Sequence, residues 1–194
     1  MKTLLAGLVA LTLVLAGAAL ALAADASEAP GAKPLAVGTI FPDVPLIGSI
    51  SPELAASLGI AKSGPTPINK VGADVLVVEI FSMYCPYCQR EAPNLNQLQG
   101  LIDKQNLGGR IKIIGIGAGN SDTEVEIFRK KYNVPFALFS DSSFAVHQRV
   151  GQVGTPFFYV LRKKPAGYEI VHTHLGLIHS PAEFLTTITA KAGL

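Results

Sequence analysis

The segment VLVVEIFSMYCPYCQREAP, residues 75–93, constrains the fold more than any other stretch of the chain. Val75 to Phe81 is an unbroken β-branched and aromatic run, the pattern of a central strand covered on both faces. Pro86 follows almost at once, and a residue without an N–H suits the first turn of a helix. Leu95, Leu98, Leu101 and Ile102 give that helix an apolar stripe, with Gly108-Gly109 as its stop. Pro93 lies inside it and predicts a kink. A strand buried on both faces and leading straight into a helix needs layers above and below it, which makes this an α/β domain.

Downstream, IKIIGIG (111–117) reads as a second buried strand and 122–132 as a helix whose Ser121 and Glu124 are spaced as a capping box. PFALFSD predicts a short strand and SSFAVHQRVG a short helix. PFFYVLR and YEIVHTH, joined by KKPAG, predict a hairpin. A last helix has Ser180, Pro181 and Glu183 as N-cap, first-turn proline and capping-box acid. The order β-α-β-α-β-α-β-β-α implies a mixed central sheet flanked by helices. Upstream, TIFPDVPLIGSI is extended, SPELAASLGI is a short helix capped by Ser51, and AKSGPTPINKVGAD reads as loop. Residues 24–38, rich in Ala, Pro and Gly, read as a flexible lead, so the folded domain is expected over 39–194.

With 194 residues and 49% hydrophobic composition the chain can bury a core of its own. A net charge of +2 from scattered basic residues lacks the concentrated face that nucleic acid binding requires. Lys2, the apolar stretch Leu4–Leu22 and the small-x-small triplet Ala21-Leu22-Ala23 form a secretory signal over residues 1–23. The alternative is an uncleaved membrane anchor, the only membrane contact expected. Ala18 stands where a lipidated Cys would have to be. Export places the chain in the periplasm or another extracytoplasmic space, where thiols are not held reduced by the cytosolic pool.

The chain has two cysteines, Cys85 and Cys88. The first stands at a helix N-terminus, where unpaired N–H groups and the helix dipole favour a thiolate, so Cys85 is the candidate nucleophile. Cys88, one turn further in, is placed to attack a mixed disulfide on Cys85 and release the partner. A structural staple is a poor alternative, because so short a loop removes little unfolded-chain entropy. A zinc site is another, but C-x-x-C supplies half of the usual ligands; His172, His174 and His179 read instead as solvent-facing strand and loop residues.

Glu79 interrupts the apolar strand and is expected to be buried with a raised pKa, beneath the start of the cysteine helix, where it can take the Cys88 proton. Glu91, about one turn beyond Cys88, either shapes the electrostatics of the site or belongs to a solvated helix face. Pro156 follows a loop containing Gly151 and Gly154 and precedes a strand.

VLVVEIFSMYCPYCQREAPNL, IKIIGIG and VGTPFFYV, in this order, resemble the thioredoxin fold, and in particular its TlpA/ResA-like branch, grouped with redoxin and AhpC/TSA-type proteins. The resemblance covers residues 36–192. It implies that Cys85 attacks and Cys88 resolves, that Glu79 is the buried acid, and that Glu91 is the acid of a C-x-x-C-x-x-E-x-P pattern. It also implies that Thr155-Pro156 is a cis-proline loop contacting substrate, with Tyr84, Pro86 and Tyr87 beside Cys85 as further substrate contacts. The expected partners are proteins bearing thiols or disulfides, apocytochrome c among them, and a membrane electron donor of the DsbD/CcdA type. Tyr84 departs from the usual Trp, and the Pro86-Tyr87 pair is the one found in glutaredoxins and some periplasmic isomerases and oxidases, which leaves the direction of electron flow open.

A peroxiredoxin is the rival enzyme: Ser82 fits the position three before a peroxidatic Cys, but Val78 stands where Pro is expected. A redox-inactive binding module is the non-enzymatic alternative. GIGAGN (115–120) is no dinucleotide fingerprint, since Asn120 replaces the third Gly. No nicotinamide, flavin or metal is expected; the redox group is the cysteine pair itself.

Overall fold

The computed structural model describes residues 33–194, so the expected signal at 1–23 and the first part of the expected lead lie outside the described residues. The chain runs β1 (Pro45–Leu46), α1 (Pro52–Leu58), β2 (Thr66–Pro67), β3 (Val75–Phe81), α2 (Pro86–Lys104), β4 (Ile111–Ala118) and α3 (Asp122–Lys131). It continues through β5 (Ala137–Asp141), α4 (Ala145–Arg149), β6 (Phe157–Lys164), β7 (Gly167–Leu175) and α5 (Pro181–Ala192). A five-stranded mixed sheet has the order β5-β4-β3-β6-β7, with β3, β4 and β5 parallel and β6 and β7 antiparallel additions.

All seven residues of β3 are buried, and period-2 alternation divides them between two cores. Val75, Val77 and Phe81 pack with side chains of α2, α3 and α5. Leu76, Val78 and Ile80 pack with α4, with Leu58 of α1 and with Phe41, Val44, Leu46, Ile68 and Val71 from the N-terminal segment. That segment engages both outer strands: Ile40 bridges Glu169 on β7, and Ile47 bridges Ser140 on β5.

The segment is more ordered than its composition suggests. Lys33 N–H donates to Gly151 O at 2.9 Å, Leu35 N–H to Tyr159 Oη at 3.1 Å, and Gly38 N–H to Ile170 O at 2.8 Å. Residues 33–38 are therefore part of the domain, because the buried Tyr159 hydroxyl and nearby backbone need these partners. The expected loop at 61–74 contains β2, paired to β1, and a 3-10 turn at Ile68–Lys70, held by the buried Ile68, whose N–H reaches Val44 O at 2.9 Å.

Helix ends also differ from expectation. α2 stops at Lys104, ahead of Gly108-Gly109, because Asn106 takes the left-handed conformation (φ 56°) and Leu107 N–H returns to Ile102 O at 2.9 Å. Leu95, Leu98 and Ile102 are buried, while Leu101 is only partly so. Lys163 and Lys164 belong to β6, which leaves Pro165-Ala166 as the turn. Ser121 and Glu124 form the reciprocal capping box; Ser180 accepts from Glu183 N–H at 3.3 Å.

Candidate active site

β3 ends at Phe81, and residues 82–84 turn the chain so that Cys85 becomes the N-cap of α2, with Pro86 in its first turn. Cys85 is partly exposed and Cys88 fully buried, both as free thiols. The Cys85 thiol donates to Thr155 O at 3.3 Å. Burial is the largest single influence on Cys85 and opposes ionisation, but hydrogen bonds from the Thr155 side chain, the Cys88 thiol and the backbone of Cys88 and Tyr87 together outweigh it and lower the pKa. Cys88 moves the other way: burial first, then the nearby Glu79 charge, push its thiol far up. The pair is split into a thiolate-forming sulfur at the surface and a proton-holding sulfur behind it.

Glu79 is 2% exposed and its Oε1 has no hydrogen-bond partner. Alternation along β3 sends its side chain to the α2 side of the sheet. Burial, then the charges of Glu91 and Cys85, raise its pKa well above the usual carboxylate range. Glu91 is fully buried, which rules out the solvated-face reading. Its Oε2 accepts from Ile178 N–H at 3.0 Å and Asn94 Nδ2 at 3.1 Å, while Oε1 is unpaired. Burial raises its pKa to about 7 against the pull of those two hydrogen bonds.

The Thr155–Pro156 peptide is cis, and Thr155 lies against Cys85. Tyr84 and Tyr87 are 65% and 54% exposed and, with the exposed Pro86, give Cys85 an apolar surround. The Arg90 guanidinium stands 4.4 Å from the Tyr87 ring centroid. Sequence reasoning missed Leu175, exposed at the end of β7, whose Cδ1 lies beside Gly154 of the proline loop; as the last residue of a strand it carried no periodic signal. It missed Asn120 and Gln89 as well, which bond the loop before Cys85. His172 and His174 are half-buried with their rings beside Phe184, more enclosed than expected, while His179 is exposed as expected. Among the described residues no group of three His, Cys, Asp or Glu side chains is arranged to hold a metal ion.

The AhpC/TSA family model matches residues 48–173. The chain belongs to the AhpC/TSA family. It is similar to the thiol-disulfide oxidoreductase ResA of Halalkalibacterium halodurans, 24% identical over 135 residues that cover 62% of this chain and 73% of ResA. Among solved structures it resembles the thioredoxin domain of a thiol-disulfide oxidoreductase from Bacteroides vulgatus, with TM-score 0.60 and 15% identity over 79% of this chain and 99% of that one. A secreted Mycobacterium tuberculosis disulfide oxidoreductase homologous to E. coli DsbE aligns with TM-score 0.51 and 20% identity, over 66% of this chain and 90% of that one. The fold of this AhpC/TSA member is thus thioredoxin-like, with an N-terminal segment, the first helix and β1–β2 preceding the central strand.

Proposed function

We propose that this chain is a thiol-disulfide oxidoreductase that exchanges its Cys85–Cys88 pair with protein substrates. The observation that carries the reading is the division between the two sulfurs: Cys85 on a helix N-terminus against Thr155 O at 3.3 Å, and Cys88 fully buried one turn behind it. In the reducing direction the Cys85 thiolate attacks a substrate disulfide, forming a mixed disulfide and releasing one substrate thiolate. Glu79 accepts the Cys88 proton, Cys88 attacks the Cys85 sulfur, and the second substrate thiolate leaves. The substrate gains two electrons and the protein keeps a Cys85–Cys88 disulfide. A buried carboxylate with a raised pKa suits the proton transfer, because it is a stronger base than an ordinary carboxylate and better matched to the raised Cys88 thiol.

Thr155, Pro156, Tyr84, Pro86 and Tyr87 border the reacting sulfur and form the substrate contact surface. The similarity to the thiol-disulfide oxidoreductase ResA and to a secreted disulfide oxidoreductase supports an extracytoplasmic oxidoreductase; we propose that it works as a reductase, recharged by a membrane donor of the DsbD/CcdA type, with apocytochrome c among its clients. A fully buried second cysteine within the same helix favours dithiol exchange over a peroxidase.

The test is the reduction potential of the Cys85–Cys88 couple, measured by equilibration against defined thiol buffers. A value near the ~−270 mV of thioredoxin supports the reductase, and one towards the ~−120 mV of DsbA makes the protein an oxidant. Failure to cycle between dithiol and disulfide overturns the oxidoreductase itself.

A further inference from the structure

The glycine-rich GIGAGN segment, which binds no dinucleotide by its pattern, closes the end of β4 beside the cysteine loop. Its last residue, Asn120, is fully buried. Asn120 Oδ1 accepts from Met83 N–H at 2.8 Å, and its backbone N–H donates to Gly117 O at 3.0 Å. Since an N–H is the donor from Met83, the oxygen of the amide must face the loop. Gln89 Nε2, from the second turn of α2, donates to the carbonyl of the same residue, Met83 O, at 2.8 Å. Tyr84 Oη bonds the Glu124 carboxylate in the first turn of α3. Both backbone polar groups of Met83 and the side chain of Tyr84 are therefore fastened from three different elements, immediately before Cys85.

The glycines explain how the amide gets there. A Cβ on Gly117 would stand 3.1 Å from both Cβ and Oδ1 of Asn120 and 3.0 Å from a Val125 methyl, so the strand must be bare at this point. Gly119 takes φ +69°, and a Cβ there would fall 2.3 Å from the Phe144 ring. Asn120 Nδ2 is buried without a partner. A buried amide that satisfies only one end is a poor choice for packing, but it supplies the acceptor that the Met83 N–H needs.

We propose that Asn120 is a positioning residue for the Cys85 nucleophile: with Gln89 and Glu124 it clamps residues 83–84, and this holds the Cys85 sulfur over the helix N-terminus and against Thr155. The idea rests on the oxidoreductase reading but is separable from it, because the reactivity of a single thiol requires no redox cycle. The loop's own support is thin: its backbone bond is Cys85 N–H to Ser82 O at 3.0 Å. Releasing Met83 lets Cys85 leave the geometry in which its thiolate is favoured.

The experiment measures the rate at which reduced protein is alkylated at Cys85 by iodoacetamide as a function of pH, for the wild type, Asn120→Ala, Gln89→Ala and Asn96→Ala. Asn96 is the control, an amide in the middle of α2 bonded to Tyr132 O at 2.9 Å, away from the cysteine loop. We expect Asn120→Ala to slow alkylation at neutral pH by about fivefold, the effect of one neutral hydrogen bond, and to move the thiolate titration upward. Gln89→Ala, at a partly exposed position, should move it the same way and keeps the test alive if Asn120→Ala does not fold. Asn96→Ala should lower the unfolding midpoint with the pH profile unchanged. Profiles for both clamp variants that superimpose on the wild type overturn the clamp. A wild type that alkylates normally yet never cycles with thiol buffers sinks the oxidoreductase reading and leaves the clamp standing.

Discussion

The two faces of the sheet are covered by different means. One lies under three helices, α2, α3 and α5; the other lies under α1, the five-residue α4 and the irregular segment from residue 33 to 71. Buried hydroxyls and buried carboxylates are treated differently on the two sides, although Asn69 Oδ1 in the irregular cover is also unpaired. Beneath the irregular cover, Tyr159 Oη donates to Val150 O at 2.6 Å and accepts from Leu35 N–H, and Tyr168 Oη reaches Val71 O and Ala73 O at 2.9 and 3.0 Å. Beneath the helices, Glu79 and Glu91 each keep one oxygen unpaired. The satisfied hydroxyls fasten the fold, whereas the buried carboxylates are held with raised pKa values.

If the faces divide chemistry from stability in this way, substitutions should separate the two readouts. The largest effect belongs to Cys85→Ser, which should abolish exchange with a model disulfide while shifting stability by less than about 0.5 kcal/mol, as measured by urea titration. Glu79→Gln comes next, slowing turnover by about a hundredfold; trapped mixed disulfide on Cys85, seen by intact mass, would locate the defect in the Cys88 step. On the opposite face, Phe41→Ala should cost about 3–5 kcal/mol and leave the exchange rate of the folded fraction alone. A change of rate as large as that of Glu79→Gln would break the comparison.

The smallest effect is a pH dependence. Glu91 is protonated in both folded and unfolded chains below its ordinary value of 4.5, and ionised in both above about 7. Between these values the folded state binds more protons, so stability falls as pH rises. Glu79, raised in the same direction, adds a slope of the same sign, so Glu91→Gln should make that part of the stability profile shallower without flattening it. A profile of the same slope in the variant would mean that another group carries it.

The helical face was legible in the sequence because its elements are periodic and capped: the unbroken run at Val75–Phe81, Pro86 in a first turn, and the Ser121–Glu124 box each announce themselves. The other face was not. Phe41, Val44, Leu46 and Ile68 are all fully buried, but they are spaced by prolines and glycines and follow neither a 2.0 nor a 3.6 period, so nothing local marks them as core. The site divides similarly. Cys85, Cys88 and Glu79 stand out by residue type and spacing, whereas Asn120 meets Met83 across 37 positions of chain, a contact that only the β3–β4 pairing creates.

The bridges that Ile40 and Ile47 make to the two outer strands bear on self-association. An outer strand with free backbone groups is a template on which another copy can lay a strand and start an aggregate. Here the chain occupies that position itself at Glu169 on one margin and at Ser140 on the other. The sheet is thereby discouraged from growing sideways at either place, and the approach left to a visiting protein is end-on, over the tyrosines that surround Cys85.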